Sequence, residues 1–249
     1  MKSHVFLGVP LYDGRTDFGT TVGLMGATLA GLAVTVCGRR AALGPAYTAN
    51  ELWSRALNAR ARGVTHFAML HADVRPEPGW LDVLLNVLDR EDADVVSAVI
   101  PIKDDKGLTS TAVDNPPDQK RAPRMLTLAE VHDLPRRTFD AADTGFPGKI
   151  LCVNTGCWAA RLDRPWCEAI SFAIHTRIVR RPNGTFETVY YPEDWDFSTQ
   201  LARHGARVLA TLEVRLTHGD DRCTNAEPWG TVRDMDALDV SGRDSGLAV

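Results

Sequence analysis

The 249-residue sequence has no CxxC pair among its five cysteines, Cys37, Cys152, Cys157, Cys167 and Cys223. A scattered, odd-numbered set of this kind argues against a disulfide framework or a zinc knuckle and fits a reducing cytoplasm. Long apolar runs are also lacking. Residues 5–10 are too few for a signal-peptide core or a membrane span, and residues 22–36 are interrupted by Gly23, Gly26, Thr28, Gly31 and Thr35. The second stretch reads as a core helix followed by a strand, so no transmembrane segment is expected. Basic charge is not in excess: the net charge of −4 and pI near 6.0 give no general grip on nucleic acid. There is no internal repeat or low-complexity tract. What remains, 44% apolar and 24% charged residues, is the composition of a soluble globular chain long enough to bury a large core.

The patterning centres on His66-Phe67-Ala68-Met69-Leu70-His71-Ala72-Asp73. An apolar run with polar flanks reads as a strand buried on both faces, and Pro76 and Pro78 prevent it from continuing. His71 and Asp73 are therefore delivered to the carboxyl edge of a sheet, where open α/β folds bind ligands; a capping role for Asp73 is the alternative. Val5-Phe6-Leu7-Gly8-Val9 is a first strand ended by Pro10. The loop after it, Leu11-Tyr12-Asp13-Gly14, offers an aromatic ring for a nucleotide base to stack on and an acid to hydrogen-bond it, or else a plain Asp-Gly turn. A helix over 20–32 and a strand over 33–37 follow. Thr48-Ala49-Asn50-Glu51 has capping-box spacing and predicts a helix running to Arg62 and stopping at Gly63. Leu81, Leu84, Leu85 and Leu88 mark an amphipathic helix, and 94–100 is another buried strand. Alternation of strands and helices over the first hundred residues implies a doubly wound, largely parallel sheet.

The middle of the chain differs. Residues 103–124 are rich in charge, proline and turn formers and read as a long loop. Thr127-Leu128-Ala129-Glu130 is a second capping box. Strand character resumes at 149–152 and 157–160 around a small-residue turn, Asn154-Thr155-Gly156. Arg177, Arg180 and Arg181 precede a Pro182-Asn183-Gly184 turn, as in a solvated hairpin tip. Pro192 suits the first position of a helix whose opening acids Glu193, Asp194 and Asp196 complement its dipole. Asp194 shares a face with Phe197, Ser198 and Leu201, and Trp195 would be unusual in a merely solvated helix start. Residues 208–216 alternate as one strand or two in line, which puts His218 on the buried parity. From there it can meet Asp73, and the pair could hold a divalent cation; a core histidine bonded internally is the alternative.

These pieces, in this order, resemble a GT-A-fold glycosyltransferase of the compact bacterial or phage type. The Val9-Pro10-Leu11-Tyr12 entry resembles its nucleotide-binding loop, Phe67 to Asp73 its DxD segment, Asn154-Thr155-Gly156 its acceptor-side turn, and Pro192 to Phe197 with His218-Gly219 its acidic helix and distal metal histidine. The resemblance implies a mostly parallel Rossmann-like central sheet flanked by helices, with a small antiparallel acceptor-side part. It implies one domain over 1–249: a nucleotide-sugar half at 1–101, a loop-rich insertion at 102–148, an acceptor half at 149–230 and a tail at 231–249. The implied reaction moves a sugar from a nucleoside-diphosphate sugar, a UDP-sugar being favoured, to an acceptor hydroxyl on a glycan, a protein or a modified nucleobase. Pro10, Tyr12, Asp13, Asn50, His71 and Asp73 would bind the donor. Asp73 and His218 would hold Mn²⁺ or Mg²⁺. Asp194 or Glu193 would act as base, and Asn154, Thr155, Gly156 and Trp195 would bind the acceptor. The chain departs from the family where His71 replaces the first acid of DxD, which leaves metal-independent transfer open. A nucleotidyltransferase and a non-catalytic sugar-nucleotide-binding or glycan-binding relative are the competing readings.

Overall fold

The structure, a computed structural model, describes residues 3–29, 33–41, 43–114 and 123–233. In chain order its elements begin with β1 (His4–Leu11), α1 (Phe18–Leu29), β2 (Ala33–Arg40), α2 (Pro45–Ala59), β3 (His66–Leu70), β4 (Val74–Pro76), α3 (Trp80–Arg90) and β5 (Val95–Ala98). Next are β6 (Leu108–Asp114), β7 (Arg124–Thr127), α4 (Leu128–His132), β8 (Thr138–Phe139), β9 (Ile150–Cys152) and β10 (Cys157–Arg161). The last are β11 (His175–Arg180), β12 (Phe186–Tyr191), α5 (Glu193–Arg203), β13 (Val208–Thr211), β14 (Leu216–His218) and β15 (Asp220–Thr224).

Seven of these strands form the central sheet, in the order β2-β1-β3-β10-β5-β13-β8. Pairings β1/β2, β1/β3 and β5/β13 are parallel, whereas β10 is antiparallel to both its neighbours and β8 is antiparallel to β13. The sheet is thus mostly parallel, with two reversed strands. Small antiparallel sheets β15-β14-β4, β7-β6-β9 and β11-β12 attach to it. This is the α/β architecture expected from the sequence.

Alternation along β1 explains the layering. Val5, Leu7 and Val9 face one core with Ala68 and Leu70 of β3 and with Trp80, Leu81, Leu84 and Leu88 of α3. Phe6, Phe67 and Met69 face the opposite core, against Leu52, Trp53 and Ala56 of α2. Both faces are covered, so β3 is buried at every position, as a run without alternation requires. The second core is aromatic: Phe172 stacks on Phe197 at 4.8 Å between ring centroids, and Trp158 tilts against Phe197 at 4.9 Å.

Several expectations are revised. Helix α2 begins at Pro45 rather than at Thr48, because proline already fits the first helical position. The Thr48 hydroxyl instead donates to the Gly44 carbonyl at 3.0 Å, and Glu51 pairs with Arg39 and Arg55. The Thr127/Glu130 capping box is present in both directions. Helix α1 starts earlier than expected, where Asp17 accepts from the Thr20 amide at 2.6 Å, and residues 30–32 lie outside the described residues. The stretch expected as a loop, 103–124, contains β6 and ends on the first residue of β7; residues 115–122 lie outside the described residues. Its threonines are β-branched and suit a strand, and Thr109 uses its hydroxyl internally, donating to the Leu126 carbonyl at 2.8 Å. Residues 208–216 make two strands in different sheets: β13 belongs to the central sheet, and β14 pairs with β4.

Candidate active site

The carboxyl ends of β1 and β3 open into a cleft of about 690 Å³ whose wall includes Pro10, Tyr12, Asp13, His71, Asp73, Thr155 and Glu193. Neighbouring backbone fixes the β3 exit. The His71 amide donates to the Gly156 carbonyl at 2.8 Å, and the Gly219 amide donates to the Asp73 carbonyl at 2.8 Å. The Thr20 hydroxyl lies within hydrogen-bond reach of the Ala72 and Val74 carbonyls, at 3.0 and 2.8 Å. Arg75 braces the same turn, with Nε on Asp17 at 2.8 Å and Nη1 on Asp221 at 2.9 Å. Asp73 is therefore presented by a rigid frame rather than by a loose loop.

Asp73 does meet His218. Register is the reason: β14 pairs with β4 so that His218 stands opposite Val74. The His218 Nε2 lies 3.6 Å from Asp73 Oδ2, and its Nδ1 is 2.8 Å from the Pro101 carbonyl. A carbonyl only accepts, so Nδ1 carries the proton. Lys103 completes the cluster, because its ammonium donates to the same Asp73 oxygen. The facing His218 imidazole and the Lys103 ammonium hold the Asp73 carboxyl well below the usual carboxylate range, against the opposing effect of burial. His71 is different in kind. Burial pushes its imidazole down to about 4, so at neutral pH it is an uncharged donor or acceptor in the cleft wall.

The donor set tests the expected divalent cation. No group of three or more His, Cys, Asp or Glu side chains able to hold a metal occurs among the described residues. Asp73 is the single carboxylate of this cluster and already carries an ammonium. A hard cation prefers several oxygen ligands. One engaged carboxylate and one imidazole do not by themselves fill the coordination shell of a resident Mn²⁺ or Mg²⁺.

The other candidates are distributed unevenly. Tyr12 stands 88% exposed at the cleft mouth. Asp13 shares the wall and accepts from the Arg15 amide at 3.0 Å, as a turn residue does. Asn50 does not contribute to the cleft wall: its side-chain amide donates to the Phe172 carbonyl at 2.7 Å and accepts from the Phe172 amide at 2.9 Å. Its work is to tie α2 to the segment before β11. Thr155 is buried in the wall. Asn154 donates to Ser110 Oγ at 2.7 Å and accepts from the Gly156 amide. Gly156 has no room for a side chain, since a Cβ would sit 2.6 Å from Asn154 Oδ1 and 2.9 Å from Ile100 Cδ1.

At the start of α5 the three acids separate. Asp196 is occupied by His175 at 3.0 Å and by Gln200 at 2.6 Å. Glu193 reaches the cleft wall. Asp194 does not, and it accepts from the Trp195 amide at 2.9 Å. Burial first, and the neighbouring Glu193 charge second, push the Asp194 carboxyl up to about 7; Glu193 is also raised by burial. Trp195 packs edge-on against Tyr191 at 5.7 Å. Lys103 was not singled out from the sequence, yet it follows a buried strand by the same logic that points to Asp73.

No protein-family model matches this chain, and no curated protein is similar to it in sequence. Among solved structures, A197 from STIV is similar at 14% identity, with a TM-score of 0.50, over 93% of this chain and 95% of that one. The structure of S. aureus TarS 1–349 in complex with UDP-GlcNAc is similar at 13% identity, with a TM-score of 0.39, over 84% of this chain and 56% of that one. The likeness to A197 runs the length of both chains and shows a shared fold. No helix among the described residues is long and apolar enough to cross a membrane.

Proposed function

We propose that this chain is a glycosyltransferase that moves a sugar from a nucleoside-diphosphate donor to an acceptor hydroxyl. One observation carries the reading: a single cleft joins an exposed aromatic beside an acid, a fixed carboxylate at a strand end, and the acidic start of α5. Tyr12 would stack on the base and Asp13 would bond the base or ribose. Neutral His71 would bond a ribose hydroxyl or a phosphate oxygen without adding charge. A UDP-sugar is the donor this reading favours. Residues 1–101 serve the donor and residues 149–230 the acceptor within one domain, with Asn154, Thr155, Gly156 and Trp195 on the acceptor side.

Transfer forms a bond between the acceptor oxygen and the anomeric carbon and breaks the bond from that carbon to the diphosphate. The leaving oxygen takes the electron pair, and a carboxylate takes the acceptor proton. Asp194 suits the last role by its raised pKa, which lies near the working pH, and Glu193, which reaches the cleft wall, suits it by position. Glu193, in the wall beside it, raises that pKa and contacts the acceptor. The Mn²⁺ or Mg²⁺ implied by the resemblance receives no role, since Asp73 and His218 alone make an incomplete donor set and Asp73 is already paired with Lys103. A panel of sugar nucleotides, scored for released nucleoside diphosphate, tests the reading. Release of nucleoside diphosphate with sugar-modified acceptor is expected; release of pyrophosphate would identify a nucleotidyltransferase, and turnover undiminished in Asp73→Ala would remove the proposal.

A further inference from the structure

The chemistry of transfer needs positive charge beside the leaving diphosphate. The chain itself brings positive charge to this edge: Arg15 lines the cleft, and Lys103 is fixed on the wall residue Asp73. Lys103 lies just beyond the carboxyl end of β5, after Pro101 and Ile102, and its ammonium rests on Asp73 in the cleft wall. The seat is built by three neighbours. The Pro101 carbonyl is pinned by His218 Nδ1 at 2.8 Å, two residues before the lysine. Gly219 lies under the lysine stem with φ of +72°, and a Cβ there would fall 2.8 Å from Lys103 Cε and 3.3 Å from Nζ. Gly219 is itself held by the Asp73 carbonyl at 2.8 Å. Both partners of the ion pair remain nearly half exposed, at 45% for Lys103 and 46% for Asp73, so solvent weakens their attraction and a diphosphate can compete for the ammonium.

We propose that Lys103 is a resident cation at the edge of this cleft: its ammonium passes from Asp73 to the donor's diphosphate oxygens and neutralises the leaving diphosphate in place of a divalent metal. Asp73 is then the anchor that aims Lys103, and His218 is a positioning residue that holds the Pro101 end of the segment. As the bond from the anomeric carbon to oxygen breaks, the electron pair stays on the diphosphate and Lys103 keeps its proton. The proposal rests on the glycosyltransferase reading for its reaction, but not for its binding step.

Isothermal titration of the full chain with UDP, GDP, dTDP and ADP, in excess EDTA and again in Mn²⁺, tests it. The wild type is expected to bind at least one of these equally well in both buffers. Lys103→Met should weaken that binding by about tenfold to a hundredfold, the usual worth of a charge-assisted bond. Lys103→Arg should restore most of it, with thermal melts showing all three proteins folded. Binding that appears only with Mn²⁺, binding unchanged in Lys103→Met, or no binding in either buffer would each overturn the proposal. Sugar-nucleotide turnover on the same samples separates the two ideas. Lys103-dependent binding without transfer upholds the resident cation and removes the glycosyltransferase; Mn²⁺-dependent transfer indifferent to Lys103 does the reverse.

Discussion

Replacing Asp194 with Asn should make the protein inactive and, above neutral pH, more stable. The carboxyl has an ordinary value of 3.8 and is pushed up to about 7, first by burial and then by Glu193. A carboxyl raised on folding binds more protons in the native than in the unfolded state. Its cost is therefore absent below about pH 4, grows between pH 4 and 7, and is complete above pH 7. At about 1.4 kcal/mol per pKa unit the full cost is at most about 4 kcal/mol. Asparagine keeps an oxygen for the Trp195 amide and never ionises. Urea unfolding at pH 5 and pH 8 should show the variant gaining on the wild type by up to that amount at the higher pH. In the wild type, kcat/KM should rise with pH through about 7 as the base ionises, while the variant should lose a factor of about 10² to 10⁴ and the acidic limb of its profile. An Asn variant that is less stable than the wild type at pH 8, or that differs from it equally at both pH values, would refute the buried-acid argument. Retained turnover would refute the catalytic one.

Other outcomes follow from the same geometry. Asn225→Ala should cost at least about 3 kcal/mol by chemical denaturation, because the buried amide donates to the Val99 and Val214 carbonyls and accepts from the Leu216 amide, all at 2.9 Å. Gly156→Ala should cost about 1–3 kcal/mol, since its Cβ would meet Asn154 and Ile100 below contact distance; a midpoint equal to that of the wild type would contradict this crowding. Tyr12→Ala should leave the melting temperature unchanged at so exposed a position, yet weaken nucleoside diphosphate binding by about tenfold in titration if the ring stacks on the base.

Two local signals were legible from the sequence alone. The 66–70 run announces a strand covered on both faces, and the Thr127/Glu130 box is satisfied as its spacing implies. The meeting of Asp73 with His218 was accessible through strand parity, although the strand continuity assumed for it does not hold: the chain leaves the central sheet after β13 and re-pairs with β4. Thr48 misleads because Pro45 starts the same helix one turn earlier. The β6 strand is hidden by polar composition, since threonines inside a sheet look like loop residues until their neighbours are known. Asn50, Asp196 and Lys103 share a further reason for escaping the sequence. Each is defined by a partner between 21 and 122 residues away, and residue type alone does not report whether an amide, an acid or an ammonium is already engaged.

The reversed strand β10 has a consequence for how the chain comes together. It lies between β3 and β5 and is bonded to both, so those two strands, although made early, do not touch each other. Until residues 157–161 arrive, each keeps a bare edge of amides and carbonyls of the kind that recruits stray chains. Insertion of β10 closes both edges at once and brings Asn154, Thr155 and Gly156 to the mouth of the cleft in the same event. Assembly of the sheet is thereby a late, non-local step with a high loop-closure cost. The turn at Asn154, Thr155 and Gly156 and the β3 strand that leads to Asp73 are thereby held by one and the same pairing.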